Sequence, residues 1–230
     1  MSGGLFVTGT DTDCGKTVVA CGIVAALRAR GPRVGVLKPV AAGAWETPGG
    51  LRNQDALDLA AASGSDLPYA VVNPFVYAPP IAPHIAAAQA GEVIRFALLR
   101  EAFERVRAAS DVVVVEGAGG WRVPLGPDGD VADLAAALGL PVVLVVGLRL
   151  GCLSHALLTA ESIARAGCRL AGWVANTVDP TMAVREENLA TLRARLPAPC
   201  LGVVPRLDDV TPAAVAAWLD SEAIARWLAA

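Results

Sequence analysis

Gly9-Thr10-Asp11-Thr12-Asp13-Cys14-Gly15-Lys16-Thr17 decides how this chain of 230 residues is read. It lies between the apolar run Leu5-Phe6-Val7 and a helical stretch that spans Thr17 to Arg30. A glycine-rich loop in this strand-to-helix setting cradles phosphate: its backbone N–H groups and the positive end of the helix face the anion. Lys16 then reaches the terminal phosphate and the Thr17 hydroxyl faces Mg2+, with Asp13, Cys14, Gly15 and Val18 completing the nucleotide-binding loop. The usual spacing would put glycine where Thr10 stands, and Gly9 lies one residue earlier. Read without a ligand, the segment is a Gly- and Asp-containing turn, but the strand before it and the helix after it favour phosphate. Cys14 reads as a small packing residue rather than a reactive thiol.

Five more short apolar runs follow that strand: Val34 to Leu37, Val112 to Val115, Val142 to Val146, Gly172 to Ala175 and Leu201 to Val204. They are continuously apolar, as strands covered on both faces must be, which predicts a mostly parallel sheet. Helical patterns fall between them at Phe96 to Ala109, Ser154 to Ala166, Val184 to Arg195 and Pro212 to Ala229, with Gly31, Gly139 and Gly167 as end signals. Strand and helix alternate, so the expected fold is an α/β, P-loop NTPase-like domain over residues 1–230, its central sheet carrying helices on both faces. Residues 41–91 break the rhythm. They are rich in Gly and Pro and show one convincing helix, Asp55 to Ala62, a pattern that points to a functional segment.

Composition narrows the function classes. A net charge of -3 with no basic stripe argues against nucleic acid as a partner. The N-terminus carries no signal-peptide pattern, and the longest apolar run, Leu140 to Leu148, is well short of the roughly 20 residues a membrane helix needs. A cytoplasmic protein without membrane contact is expected. The five cysteines show neither a CxxC pair nor metal-ligand spacing, so reduced thiols are expected. His84 and His155 have no partner at catalytic spacing and carry no assigned role.

A nucleotide loop needs a carboxylate near the metal at the end of a neighbouring strand. Val112-Val113-Val114-Val115-Glu116-Gly117-Ala118-Gly119-Gly120 delivers Glu116 there, although an acid that only caps a turn would read the same. Lys38, in Lys38-Pro39-Val40-Ala41-Ala42-Gly43, stands at the C-terminal end of a strand, where open parallel sheets bind ligands; its plain alternative is a solvent-facing lysine. Asp55 reads as a helix-initiating acid or a metal ligand, and Asn176 as a turn residue or a base-pairing amide.

Taken together, these segments resemble the dethiobiotin synthetase family. Further matches are Arg52-Asn53-Gln54-Asp55-Ala56-Leu57, Pro83-His84, Leu150-Gly151-Cys152, Gly172-Trp173-Val174-Ala175-Asn176 and Gly202-Val203-Val204-Pro205. The resemblance implies an ATP-dependent ligase of biotin synthesis that uses 7,8-diaminopelargonate, CO2 and Mg-ATP and proceeds through a carbamate and its mixed anhydride with phosphate. It implies Thr12, Lys16 and Lys38 at the reacting end, and Thr17, Asp55 and Glu116 around Mg2+. Gly117, Ala118 and Gly119 should pass the nucleotide, while Asn176, Pro205, Arg206 and Leu207 hold its base. It also implies a homodimer with active sites at the interface, in which Gly151, Cys152, Leu153 and Ser154 take the carboxylate of substrate bound to the partner. Ala42 stands where the family commonly has a hydroxyl that meets substrate, and Ser154 where asparagine can occur.

A nucleotide switch that cycles between monomer and dimer is the rival from another class. Such switches generally carry an extra lysine early in the loop, and Gly9 to Gly15 has none. A nearer rival, an amidotransferase-type synthetase, would draw ammonia from a glutaminase domain that this chain lacks.

Overall fold

The computed structural model describes residues 3–227. All six anticipated strands form one sheet, in the order Cys200–Val204, Leu170–Asn176, Val142–Gly147, Gly3–Gly9, Val112–Glu116 and Val34–Leu37. Every neighbouring pair is parallel. The loop-bearing strand is thus interior, with a partner on each side.

The period of two along each strand sorts side chains between two cores. Leu5, Val7, Val114 and Val145 pack on one face against the helices Lys16–Arg28, Gln54–Ser63, Pro212–Ala216 and Ser221–Ala225. Phe6, Val115, Leu144 and Trp173 pack on the other against Phe96–Ala108, Val131–Leu138, Cys152–Arg165 and Arg185–Arg195. Trp173 is wholly buried, and its indole N–H donates to the Ala198 carbonyl at 3.1 Å, so its one polar atom is satisfied. Among the described residues, no helix is long and apolar enough to cross a membrane.

Three expectations need correction. The stretch Pro212 to Ala229 is two helices, Pro212–Ala216 and Ser221–Ala225, and its residues 228–229 lie outside the described part. Between the two, Leu219 bridges to Gly202, the Asp220 N–H donates to the Leu201 carbonyl at 2.7 Å, and the Asp220 side chain caps the new helix at Ala223. A sheet contact and an N-cap together override the helical pattern. Residues 41–91 hold more order than their Gly and Pro content suggests: besides Gln54–Ser63 they form the helices Tyr69–Val72 and Pro83–Gln89 and small strand pairs, Trp45–Thr47 with Gly50–Arg52 and Val40–Ala42 with Phe75–Tyr77. Finally, Gly139 closes a helix that the periodicity did not reveal, Val131–Leu138, opened by a reciprocal capping box between Asp130 and Asp133.

Candidate active site

The sheet register builds the charged centre. Leu37 pairs with Val115, so the next residue on each strand, Lys38 and Glu116, leaves the sheet side by side at its C-terminal edge. Val7 pairs with Glu116, which places the loop beginning at Gly9 next to both. The Lys38 ammonium lies 2.5 Å from Glu116 Oε1 and 2.8 Å from Asp55 Oδ2, and reaches the Gly117 carbonyl at 3.4 Å. Asp55 arrives from the first turn of Gln54–Ser63, in the irregular segment. The Thr17 hydroxyl donates to Glu116 Oε1 at 2.9 Å.

The loop explains its own departure from the usual spacing. A Cβ on Gly9 would overlap Cys14 Sγ and press on Lys16 Cγ at 2.9 Å, so glycine is required at that position by close packing. Thr10 takes ordinary backbone angles, and its N–H donates to the Val145 carbonyl at 3.0 Å. At Gly15 φ is 88°, and a Cβ would overlap the Asn176 amide, which itself donates to the Cys14 carbonyl at 3.1 Å. Lys16 arches back over the loop to the Asp11 carbonyl at 2.9 Å. The Asp11 carboxylate meets Arg149 at 2.6 Å, a tie to the turn before Gly151 that the residue pattern alone did not disclose. Cys14 is fully buried, as its packing role requires.

The electrostatics of the centre are unbalanced. Burial alone would lower the Lys38 pKa, but Glu116 and Asp55 outweigh it and hold the ammonium above the ordinary lysine range. Burial pushes the Glu116 carboxyl up even against the pull of Lys38, and Asp55 adds to the rise. Asp55 comes out below its usual range, because Lys38 and then Thr17 outweigh its own burial. One cation thus serves two carboxylates, and Glu116 Oε2 is buried with no hydrogen-bond partner. A hydroxyl, a half-exposed carboxylate and a buried carboxylate with a free oxygen form a hard-oxygen set that could hold Mg2+. Among the described residues, no group of three His, Cys, Asp or Glu makes a metal site; in this oxygen set the third protein group is the Thr17 hydroxyl.

These groups open into a cleft of about 1360 Å3 that Thr12, Lys16, Thr17, Lys38 and Asp55 help to line. A second cavity of about 220 Å3 adjoins it, shaped by Asn176 and by Pro205-Arg206-Leu207. Asp13 and Val18 line both, so the phosphate loop sits at their junction. A family model described as an AAA domain matches residues 3–214. The ATP-dependent dethiobiotin synthetase BioD of Pseudomonas aeruginosa is 57% identical over 216 residues, covering 94% of this chain and 95% of that protein. The enzyme of the same name from Aromatoleum aromaticum is 55% identical over 214 residues, covering 93% and 95%. The chain belongs to the dethiobiotin synthetase family. Solved structures add the fold alone: the MinC:MinD cell division complex of Aquifex aeolicus matches with a TM-score of 0.60 at 15% identity, over 97% of this chain and 95% of that one.

The structure brings together most of the residues that the family resemblance singles out. Ala42, Ala118 and Gly119 line the large cleft, and Gly117 turns its carbonyl to Lys38. Gly151, Cys152, Leu153 and Ser154 line neither cavity. They open the helix Cys152–Arg165 beside Leu150, a residue that is 97% exposed, so in a single protomer the proposed carboxylate turn stands apart from its chemistry. Asn53 went unremarked in the residue pattern. It lines the cleft, donates to the Ala42 carbonyl at 3.2 Å and keeps a buried Oδ1 without a partner. Its place next to Asp55 in the Arg52-to-Leu57 match was the available signal. His84 and His155 stay without a role: His84 begins a short helix and His155 is exposed.

Proposed function

We propose that this chain, acting as one domain within a homodimer, converts 7,8-diaminopelargonate, CO2 and Mg-ATP into dethiobiotin, ADP and phosphate. The observation that carries the reading is the ammonium of Lys38, buried between Glu116 and Asp55 and facing the same cleft as the phosphate loop. A carbamate and a terminal phosphate are both anions, and bringing them together needs cations already in place.

One substrate amine attacks CO2 and gives up a proton, leaving a carbamate. A carbamate oxygen attacks the terminal phosphorus, and ADP departs. The second amine then attacks the carbamoyl carbon and loses a proton, and the carbamoyl C–O bond to phosphate breaks as the ring closes. Its carboxylate partners favour the charged form of Lys38, which serves as a fixed positive charge beside the phosphate loop. Lys16 exchanges the Asp11 carbonyl for phosphate oxygens, and Thr12 faces the reacting end from the loop. Mg2+ held by Thr17, Asp55 and Glu116 would neutralise phosphate charge as it shifts. Asn176 and the Pro205-to-Leu207 turn offer the small cavity to the base. The separation of Gly151 to Ser154 from the cleft supports the dimer: the turn of one protomer would meet the substrate carboxylate in the other.

The test combines purified protein with Mg-ATP, bicarbonate and the diamine, follows ADP release and looks for the cyclic urea by mass. Turnover that requires every component and disappears in Lys16→Ala and Lys38→Ala is the expected result. ADP release indifferent to diamine and bicarbonate would leave a nucleotide hydrolase or switch instead.

A further inference from the structure

The Lys38 ammonium comes from the sheet and Asp55 from the irregular segment, yet the two meet at 2.8 Å. Val34–Leu37 is an edge strand, so beyond Leu37 the chain has no sheet neighbour on its outer side. The backbone of Lys38 is nevertheless buried and fully used. Its N–H donates to the Val72 carbonyl at 2.8 Å, and its own carbonyl accepts from Asn73 Nδ2 at 2.8 Å. The same Asn73 amide reaches the Phe75 carbonyl at 3.1 Å, which fixes which end of the carboxamide is nitrogen. Its oxygen accepts from the Tyr69 hydroxyl at 2.9 Å. That hydroxyl in turn accepts the Asn53 N–H at 2.8 Å, and Asn53 is the residue before the helix that carries Asp55. The Tyr69 ring is held from above by the Arg52 guanidinium, 4.2 Å from its centre. An unbroken line of hydrogen bonds therefore runs from the backbone that aims Asp55 to the backbone that aims Lys38.

We infer that Tyr69 and Asn73 are positioning residues for the reaction: their side chains form a relay that sets the spacing between Lys38 and Asp55, so that charge and carboxylate stand at working separation before substrate enters. Three features favour this over ordinary packing. Asn73 is 1% exposed, and its carboxamide joins two segments, giving N–H groups to the Lys38 and Phe75 carbonyls while its oxygen takes the Tyr69 hydroxyl. Every proton in the line has a single direction of donation, so neighbouring bonds reinforce one another. Neither side chain lines the cleft, so any effect on chemistry must pass through Lys38 and Asp55. The inference rests on the roles proposed for those two residues.

The experiment compares Tyr69→Phe, Asn73→Ala, the double variant and Lys38→Ala in three measurements: steady-state turnover, thermal melting, and Mn2+ titration with ADP present, read by the Mn2+ resonance signal. Tyr69→Phe keeps the ring under Arg52 and deletes only the hydroxyl, so it tests the idea even if Asn73→Ala folds poorly. We expect kcat to fall about tenfold in Tyr69→Phe with KM for ATP changed by less than about twofold, since small misplacements act on the transition state. Half-saturation by Mn2+ should rise severalfold because Asp55 is no longer aimed. The double variant should be no slower than the worse single, as expected of residues in one chain of contacts. A lower melting temperature with kcat and Mn2+ binding unchanged would mark plain structural hydrogen bonds and overturn the relay, as would losses that multiply in the double variant. If Lys38→Ala is inactive while Tyr69→Phe matches the parent protein, the relay alone fails. If Lys38→Ala turns over normally, the assignment of Lys38 falls, and the relay falls with it.

Discussion

The six-stranded sheet and residues 41–91 supply opposite halves of one charged centre by different physics. The sheet places Lys38 and Glu116 through backbone pairing, with strands such as Val112–Glu116 buried along their whole length. Hydrophobic burial on two faces fixes where such a strand must lie, and its last residue inherits that precision. The irregular segment places Asp55 on a helix, Gln54–Ser63, that seats Leu59 and Ala62 in the core, while polar contacts between short pieces tie that helix's first turn to the Lys38 side. A rigid half thus holds the buried charge and a polar half the half-exposed one. Substitutions in the two halves should therefore fail in different ways.

The largest effect is expected at Lys38. Removing a fixed cation from a developing anionic transition state costs on the order of 10²–10³ in kcat. Lys38→Ala should lose that much in ADP release coupled to diamine, and a loss below tenfold would mean that Lys16 alone supplies the charge. Glu116 and Asp55 then divide the comparison. Glu116→Ala strips a buried ammonium of its nearer partner, and breaking a buried pair costs about 3–5 kcal/mol, lower here because Asp55 remains. It should lose both activity and stability. Asp55→Ala removes a side chain that is 43% exposed, so activity should fall while urea unfolding hardly changes. Equal loss of stability in the two variants would erase the distinction between a rigid and a polar half.

Within the sheet, Val114→Ala empties part of a fully buried position on the strand that carries Glu116. Two lost methyl groups and the space they leave predict about 1.5–3 kcal/mol of destabilisation, read from urea or thermal unfolding. KM values should not move, because the strand end is held by backbone pairing on both sides. A changed KM for ATP would show that the sheet transmits packing defects to its edge.

The same contrast governs what the residue pattern could disclose. Continuous valine runs announce buried parallel strands, and charged residues directly after them announce the site, so Lys38, Glu116 and the loop from Gly9 to Thr17 were legible. Tyr69 and Asn73 were not, because a tyrosine and an asparagine among Gly and Pro carry no periodicity. Their significance lies in contacts with residues 16 and 35 positions away. The break near Asp220 was hidden for a related reason: the stretch keeps helical composition, and the contacts with Leu201 and Gly202 that interrupt it, together with the Asp220 cap, leave no mark on its apolar periodicity. The Asp11–Arg149 tie joins residues 138 apart and has no local signature. Local pattern reveals elements that bury apolar faces, and it misses polar contacts whose partners are distant in sequence.

The smallest effect should come from the end of the sheet away from the site. Arg33 and Asp111 each precede a strand, Val34–Leu37 and Val112–Glu116, and pair at 2.8 Å where those strands begin. Hydrogen bonds from Arg33, side chain first and then backbone, hold the Asp111 carboxyl down at about 2. A carboxyl lowered on folding stabilises the protein above its unfolded pKa, roughly 4, and that contribution is lost as pH falls through the folded value. Asp111→Asn should therefore lower the urea midpoint slightly and by a constant amount from pH 7 to about pH 5, with the gap narrowing once the pH drops below about 4. Salt should shrink the gap as well, since both side chains are exposed. Turnover should be untouched, because the pair lies at the opposite edge from Lys38 and Glu116. A variant that lost activity while keeping its urea midpoint would show that the strand starts, and not only the strand ends, set the geometry of the charged centre.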